Sequence, residues 1–432
     1  MKKAIWILLL LIGLLGNFPA LCLADEVTDW NLIMLDALRT GAIGGVVATR
    51  HAAIVQSAVY DAVNGIERRY EPLHVQPSAA PGASRRAAAV QAAYASLLKL
   101  FPGQKSDLDS KRDSSLSAIS SVEGAGNSQS ITLGIEWGQQ VADAIWSWRS
   151  TDGFTPAPAP YYGVAAPGQW RSTPPAFAPM AAFQFASMTP WVINSPFQFP
   201  MPGPPSMNSF QYTLEFNEAK EVGSASSATR TADQTLAARF WASSSTPNYF
   251  WNTLAVALGA RRNTTLSENA RLLAMVNVAM ADAGITVWSG KYGYNFWRPI
   301  TAITLADTDG NSNTIPDTNW TPLIVTPPYP DYPSGLCGVS AAAVGVLANY
   351  FGANSSFAVE TDSTSAGLVG VKRPFANFAS ALDELVGARI WSGIHFRSAD
   401  ADSRQLGTDI ADYIIGNAFR PLYGTAIAQI QH

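Results

Sequence analysis

Lys291, Arg298, Ser334, Gly335 and Arg389 have the types and the order needed to surround a tetrahedral oxyanion, and His395 follows six residues after the last of them. Two guanidinium forks can each meet a pair of oxygens, an ammonium adds a point charge, and a hydroxyl and a backbone N–H complete the ring of donors. The Ser334-Gly335 pair stands at the end of Tyr-Pro-Asp-Tyr-Pro and at the start of a small-residue apolar run. Proline sets the approach, glycine lets a ligand come close to the backbone, and the free N–H groups of a first helical turn face outward. A neutral imidazole at His395 could ligate a metal oxyanion or attack phosphorus. Each residue alone has an ordinary explanation: Ser334 as an N-cap, Arg389 as a surface or ion-pairing arginine, His395 as a core or capping histidine. Their conjunction is what calls for a site.

Helices must position these groups. Helical spacing predicts two helices between Val27 and Arg69, with Val55, Val59, Ala62 and Ile66 in one stripe, then helices over Ser84 to Phe101, from about Gln104, and over Ile131 to Arg149. Further helices are expected at Tyr212 to Val222, Thr231 to Ala242 with a Thr231/Gln234 capping box, Tyr249 to Arg261, Ser267 to Trp288, Gly335 to Phe351, Asn377 to Phe396 and Ala401 to Phe419. No strand-like alternation of useful length is present, so the pattern is all-α. The expected organisation is an N-terminal helical part over 25–150, a Pro- and aromatic-rich irregular segment over 151–211, and a C-terminal helical part over 212–432. The aromatics of 151–211, Trp170, Phe185 and Trp191 among them, imply that it packs on the helical body and helps roof a pocket, since a free linker would be polar.

Composition narrows the function. An apolar fraction of 47% against 14% charged residues requires a large core, and a net charge of −4 without clusters speaks against nucleic acid or a polybasic membrane surface as partners. Lys2 and Lys3, the apolar run from Ala4 to Gly16 and the small residues before Asp25 have the order of a secretory signal peptide over 1–24. A secreted or periplasmic mature chain is therefore expected, with Cys337 as its single cysteine and no internal disulfide. Later stretches fall short of about 20 uninterrupted apolar residues, so no stable membrane insertion is expected. A homo-oligomer is neither required nor excluded. The run Asp307 to Asn313 alternates side-chain oxygens as calcium loops do, but its glycine is misplaced for an EF-hand and a solvated turn is the simpler reading.

Lys-x6-Arg-Pro, then Pro-Ser-Gly, then Arg-x5-His resembles the vanadium-dependent haloperoxidases and the type 2 phosphatidic acid phosphatases and acid phosphatases that share their site. The likeness is clearest from Asp282 to Gly407, and Ala58 to Asn64 with Arg230 to Gln234 resemble the soluble bacterial haloperoxidase-like branch. The resemblance implies two four-helix bundles and a bound vanadate whose place phosphate can take. Lys291, Arg298, Ser334, Gly335 and Arg389 would bind its oxygens, His395 would be its apical ligand, and Trp288 and Tyr329 would line a halide pocket. Peroxide and a halide or organic small molecule would be the reactants. In the phosphatases the residue matching His395 is instead the nucleophile that becomes phosphorylated, and a non-catalytic oxyanion-binding relative is a third reading.

The chain departs from the family at Leu336, where the family has an acid/base histidine after Pro-Ser-Gly. Loss of such a group typically costs about 10²- to 10⁴-fold in rate. His51, His74, Cys337 and Asp331 are the candidates to replace it. Each has a plainer role: a surface or capping histidine for the first, a loop residue for the second, a small buried thiol for Cys337 and an exposed turn carboxylate for Asp331.

Overall fold

The computed structural model describes residues 25–124, 127–242 and 247–422. The expected signal peptide over 1–24 and His432 lie outside the described residues. The described chain is mostly α-helical, as the pattern requires, apart from the irregular segment 151–211 and the long connections. The first half holds α1 (Glu26–Thr40), α2 (Gly45–Glu67), α3 (Arg85–Leu100), α4 (Lys105–Glu123) and α5 (Ser128–Arg149). The second holds α6 (Phe210–Val222), α7 (Ala232–Trp241), α8 (Asn248–Arg262), α9 (Leu266–Tyr294), α10 (Pro299–Thr304), α11 (Gly335–Phe351), α12 (Phe378–Trp391) and α13 (Arg397–Asn417). One short antiparallel pair, β1 (Phe357–Glu360) with β2 (Lys372–Phe375), lies between α11 and α12 where no strand was expected. Four residues a side are too few to leave a readable alternation.

In the first half α3 packs on both α2 and α5; in the second, α11 packs on both α9 and α13. The α2–α9 contact joins the halves, and one apolar cluster runs through both. Close approach is achieved with glycine where it matters. A Cβ on Gly407 of α13 would lie 2.1 Å from the Gly338 carbonyl of α11, so only glycine permits that crossing. Helix α9 is long and apolar enough to cross a membrane by composition, yet its apolar window is wholly buried inside the fold, which makes it a core helix here.

Among the helix ends that differ from the sequence-based expectation, two matter most for the site. Helix α9 continues past Trp288 to Tyr294, which places Lys291 on the helix. Gly290 does not break it; the glycine is there because Pro333 presses on that face, 2.9 Å from where a Cβ would be. Helix α12 stops at Trp391 instead of running to Phe396, because Gly393 turns left-handed (φ +73°) with the Gly223 carbonyl against it. His395 is thereby released from a helix into the connection before α13.

The segment 151–211 lies against the body with Trp170, Phe185 and Trp191 buried. Asp282 of α9 accepts the backbone N–H groups of Trp191, Val192 and Ile193 at 2.6, 2.9 and 3.1 Å. The Asp307–Asn313 run is a largely exposed turn, as expected, pinned at two buried side chains: Asp309 accepts from the Asn311 N–H and the Thr314 hydroxyl, and Asn311 donates to Met207 O and the Thr213 hydroxyl near α6.

Candidate functional site

A second apolar cluster, containing Trp297, Tyr332 and Phe396, lies beneath the loops that flank α10, α11 and α13. Each of these aromatics is the chain neighbour of a polar residue predicted for the site or close to it: Trp297 precedes Arg298, Tyr332 follows Asp331, and Phe396 follows His395. The site residues on these loops are therefore anchored by their neighbours.

Arg298 is fully buried, donating from Nε to Tyr329 O at 2.7 Å and from Nη1 to Ile394 O at 2.6 Å. Its Nη2 has no partner among the described residues. Lys291, also fully buried, donates to Pro330 O at 2.7 Å and Asp331 O at 3.1 Å, which leaves one of its three protons uncommitted. Arg389, in the last turn of α12, is buried with an unpartnered Nε. Ser334 occupies the N-cap position of α11, but its hydroxyl does not cap the helix and makes no hydrogen bond among the described residues. The plain capping role is thereby excluded, and the first amides of α11, beginning with Gly335, keep no helical acceptor. A Cβ on Gly335 would meet Trp288 at 3.0 Å, so a larger residue would press on the indole packed on this helix end.

His395 is buried with Nδ1 2.8 Å from Asp331 Oδ1 and Nε2 3.0 Å from Arg298 Nη1. The carboxylate approaches off the ring N–H axis, and neither Asp331 oxygen completes a hydrogen bond among the described residues. Burial first, then Arg298, Arg389 and Lys291, holds the imidazole well below its usual pKa, so it is neutral near pH 7. Burial, aided by Arg298, likewise pushes the Lys291 ammonium well below its ordinary range. Asp331 is not the exposed turn carboxylate expected; it is 1% exposed, and burial raises it well above the carboxylate range.

Sequence reasoning missed Asp400, five residues after His395 in the first turn of α13. It is fully buried and accepts the Cys337 S–H at 3.3 Å. Burial pushes its pKa up to about 7, opposed by Arg389. The Ser334 hydroxyl is close enough to lower it, although it does not reach hydrogen-bond geometry. An acidic residue in a first helical turn is an ordinary dipole feature, so nothing in the sequence marked it. Cys337 stays a thiol, raised well above its usual value by burial.

The other acid/base candidates lie elsewhere. His51 Nδ1–H donates to Val47 O (2.9 Å) between Phe101 and Phe154, and His74 stacks on Trp148 with ring centroids 4.3 Å apart. Arg397 pairs with Glu218 at the surface.

Trp288 and Tyr329, with ring centroids 5.2 Å apart, line a cavity of about 240 Å³ together with Leu336, Gly335 and Arg389. None of its lining comes from 151–211. That segment does not roof this cavity; it backs it, holding the Trp288 indole N–H through Ala181 O at 3.0 Å.

Lys291, Arg298 and Arg389 thus converge with Asp331 and Asp400 in a water-poor interior without pairing off. The one cation–carboxylate contact within 4 Å among them is Arg298 to Asp331 at 3.8 Å. Burying an ion costs several kcal/mol unless it is paired and hydrogen-bonded. A structural ion-pair cluster would close these contacts; open donors around a neutral imidazole suit an anionic ligand.

Residues 271–424 match the family described as the second helical-bundle domain of VCPO. The vanadium chloroperoxidase of Curvularia inaequalis is 28% identical over 34% of this chain and 29% of its own length. These matches support placing the chain in the vanadium haloperoxidase superfamily. The solved structure of a bacterial vanadium-dependent iodoperoxidase aligns over 92% of this chain and 96% of its own, with TM-score 0.77 and 27% identity. A bacterial vanadium-dependent chloroperoxidase in its apo form, at 15% identity and TM-score 0.68, covers 85% of this chain and 92% of its own and shares the fold. The match to the Curvularia enzyme spans under a third of that protein's length. Leu336 is a half-buried residue on the cavity wall, next to Gly335.

Proposed function

We propose that this protein is an exported enzyme that binds vanadate and oxidises a halide or an organic substrate with hydrogen peroxide. The observation that carries the reading is the set of buried, unpartnered donors, Arg298 Nη2, Arg389 Nε and the Ser334 hydroxyl, around the neutral ring of His395. These groups fit a vanadate ion: Lys291, Arg298, Arg389, Ser334 and the Gly335 amide would hold its oxygens, and His395 would ligate the metal. Bound there, vanadate supplies the Lewis-acid centre that polarises peroxide. An anion brought to these cations favours their charged forms, so binding should restore the Lys291 ammonium that burial disfavours. Leu336 supplies no proton, and the buried carboxyls near the site are Asp331 and Asp400.

A second reading has its own support. His395 is neutral and has Asp331 beside Nδ1, an environment that also suits an imidazole nucleophile in a phosphomonoesterase. One set of experiments separates the two. Calorimetry with vanadate and with phosphate should show competitive binding to the mature chain, lost in His395→Ala for vanadate. Vanadate-dependent bromide or iodide oxidation then supports the first reading, and a phosphohistidine trapped at His395 supports the second. Competitive binding with neither reaction would leave an oxyanion-binding protein, and no binding would overturn the site itself.

A further inference from the structure

The cavity beside Gly335 and Arg389 is larger than a small ion alone requires. Its volume is about 240 Å³. A dry apolar cavity of about 150 Å³ already admits a benzene ring. The lining includes Trp288, Tyr329, Leu336 and Val46 of α2, with Trp241 and Ala242 at the end of α7. Arg389 is the one charged residue among the described lining, and the Thr49 hydroxyl is committed to Val46 O at 2.7 Å. Leu336 puts a branched hydrocarbon next to Gly335, where the assigned oxyanion donors begin.

We propose that the site takes a substrate bearing an apolar group of about one aromatic ring, seated between Leu336, Trp288 and Val46 with its reacting end toward Arg389 and Gly335. This rests on the oxyanion reading of the site and names the substrate class for it. The ring can arrive in two ways: as an ester of the oxyanion itself, or as a separate neutral molecule beside a bound oxyanion.

Calorimetry on the full mature chain distinguishes these. Three titrations are needed: inorganic phosphate, phenylphosphonate, and phenol into phosphate-saturated protein. Burial of a phenyl ring should tighten phenylphosphonate over phosphate by about tenfold or more if the ring is carried on the oxyanion. Phenol binding to the phosphate-saturated protein, without that preference, identifies the separate molecule. Ala242→Trp, which adds volume at a half-buried lining position, should remove whichever signal is seen; Leu336→Trp serves the same purpose at another lining position should the first variant fold poorly. Phosphate binding with no phenylphosphonate preference and no phenol binding overturns this inference and leaves the oxyanion site standing, as does a preference that survives both substitutions. Failure of phosphate to bind at all overturns the oxyanion reading, and this inference with it.

Discussion

Leu336 stands where the family resemblance leads one to expect a histidine, and its surroundings define what a substitution there can do. The side chain is half-buried on the cavity wall, two residues past a serine whose hydroxyl is free. An imidazole at this position would face the donor cluster with room around it. Leu336→His should therefore raise turnover in the halide or phosphatase assay by about 10²-fold, within the usual range for a general acid/base group; an unchanged rate would mean that a proton source already exists among the buried carboxyls. His51 has a different fate. Burial holds its pKa down to about 4, against about 6.5 for an unperturbed histidine. The unfolded chain thus takes up a proton at His51 as pH falls below about 6.5 while the native protein resists until about 4, so this residue's contribution to stability is lost across that window. Between pH 7 and pH 5 the loss should be about 2 kcal/mol. Buried Asp61 and Asp282, both raised to about 6, act with the opposite sign over similar pH values. The test is therefore the difference between wild type and His51→Gln in urea unfolding at the two pH values, and equal pH dependence would refute it.

At the scale of elements, the start of α11 is fixed by what packs on it. The Trp288 ring occupies the space beside Gly335, so Gly335→Ala must displace either the indole or the helix end. Overpacking of this kind costs about 1–3 kcal/mol, and it falls on an amide assigned to the oxyanion. Phosphate affinity measured by calorimetry should drop about tenfold or more, with far-ultraviolet circular dichroism unchanged; undiminished affinity would remove the Gly335 amide from the site. The same elements show how much was legible beforehand. Lys291, Arg298, Ser334, Gly335 and Arg389 could be read because their chemistry is unusual in that order, and the helices because their apolar stripes are long. What stayed hidden depends on contacts across the fold. Gly393 ends α12 because the Gly223 carbonyl blocks it, and Gly290 serves Pro333 instead of ending α9. Asp331 is buried because Tyr332 is drawn into an aromatic cluster, and Asp400 faces Cys337 only once α13 crosses α11. No local pattern announces such partners.

At the scale of the molecule, the two helical halves and the irregular segment between them are tied at one buried carboxylate. Asp282 of α9 receives three consecutive backbone N–H groups from 191–193, while Arg149 at the end of α5 donates to Thr189 O at 2.7 Å and Pro190 O at 3.1 Å. The segment is thereby fastened to a helix from each half. The arrangement has a counterpart in α2, where Asp61 receives the N–H groups of Leu73, His74 and Val75. Asp282→Asn keeps the shape but replaces one of two acceptor oxygens with a donor, pointing it at backbone groups that are themselves donors. Each buried N–H left without an acceptor costs about 1–3 kcal/mol, so the variant should unfold at lower urea by about 3 kcal/mol. Because Trp288 and Ser289, a turn or more farther along α9, hold Ala181 O and Ala186 O of the same segment, loosening at 191–193 should be felt toward the cavity wall. Limited proteolysis should then cut within 151–211 faster in the variant, and phosphate saturation should slow that cutting if the segment and the donor cluster are coupled through α9. Faster cutting that phosphate leaves unaffected would separate the strap from the site, and unchanged cutting would show that Asp282 does not hold it.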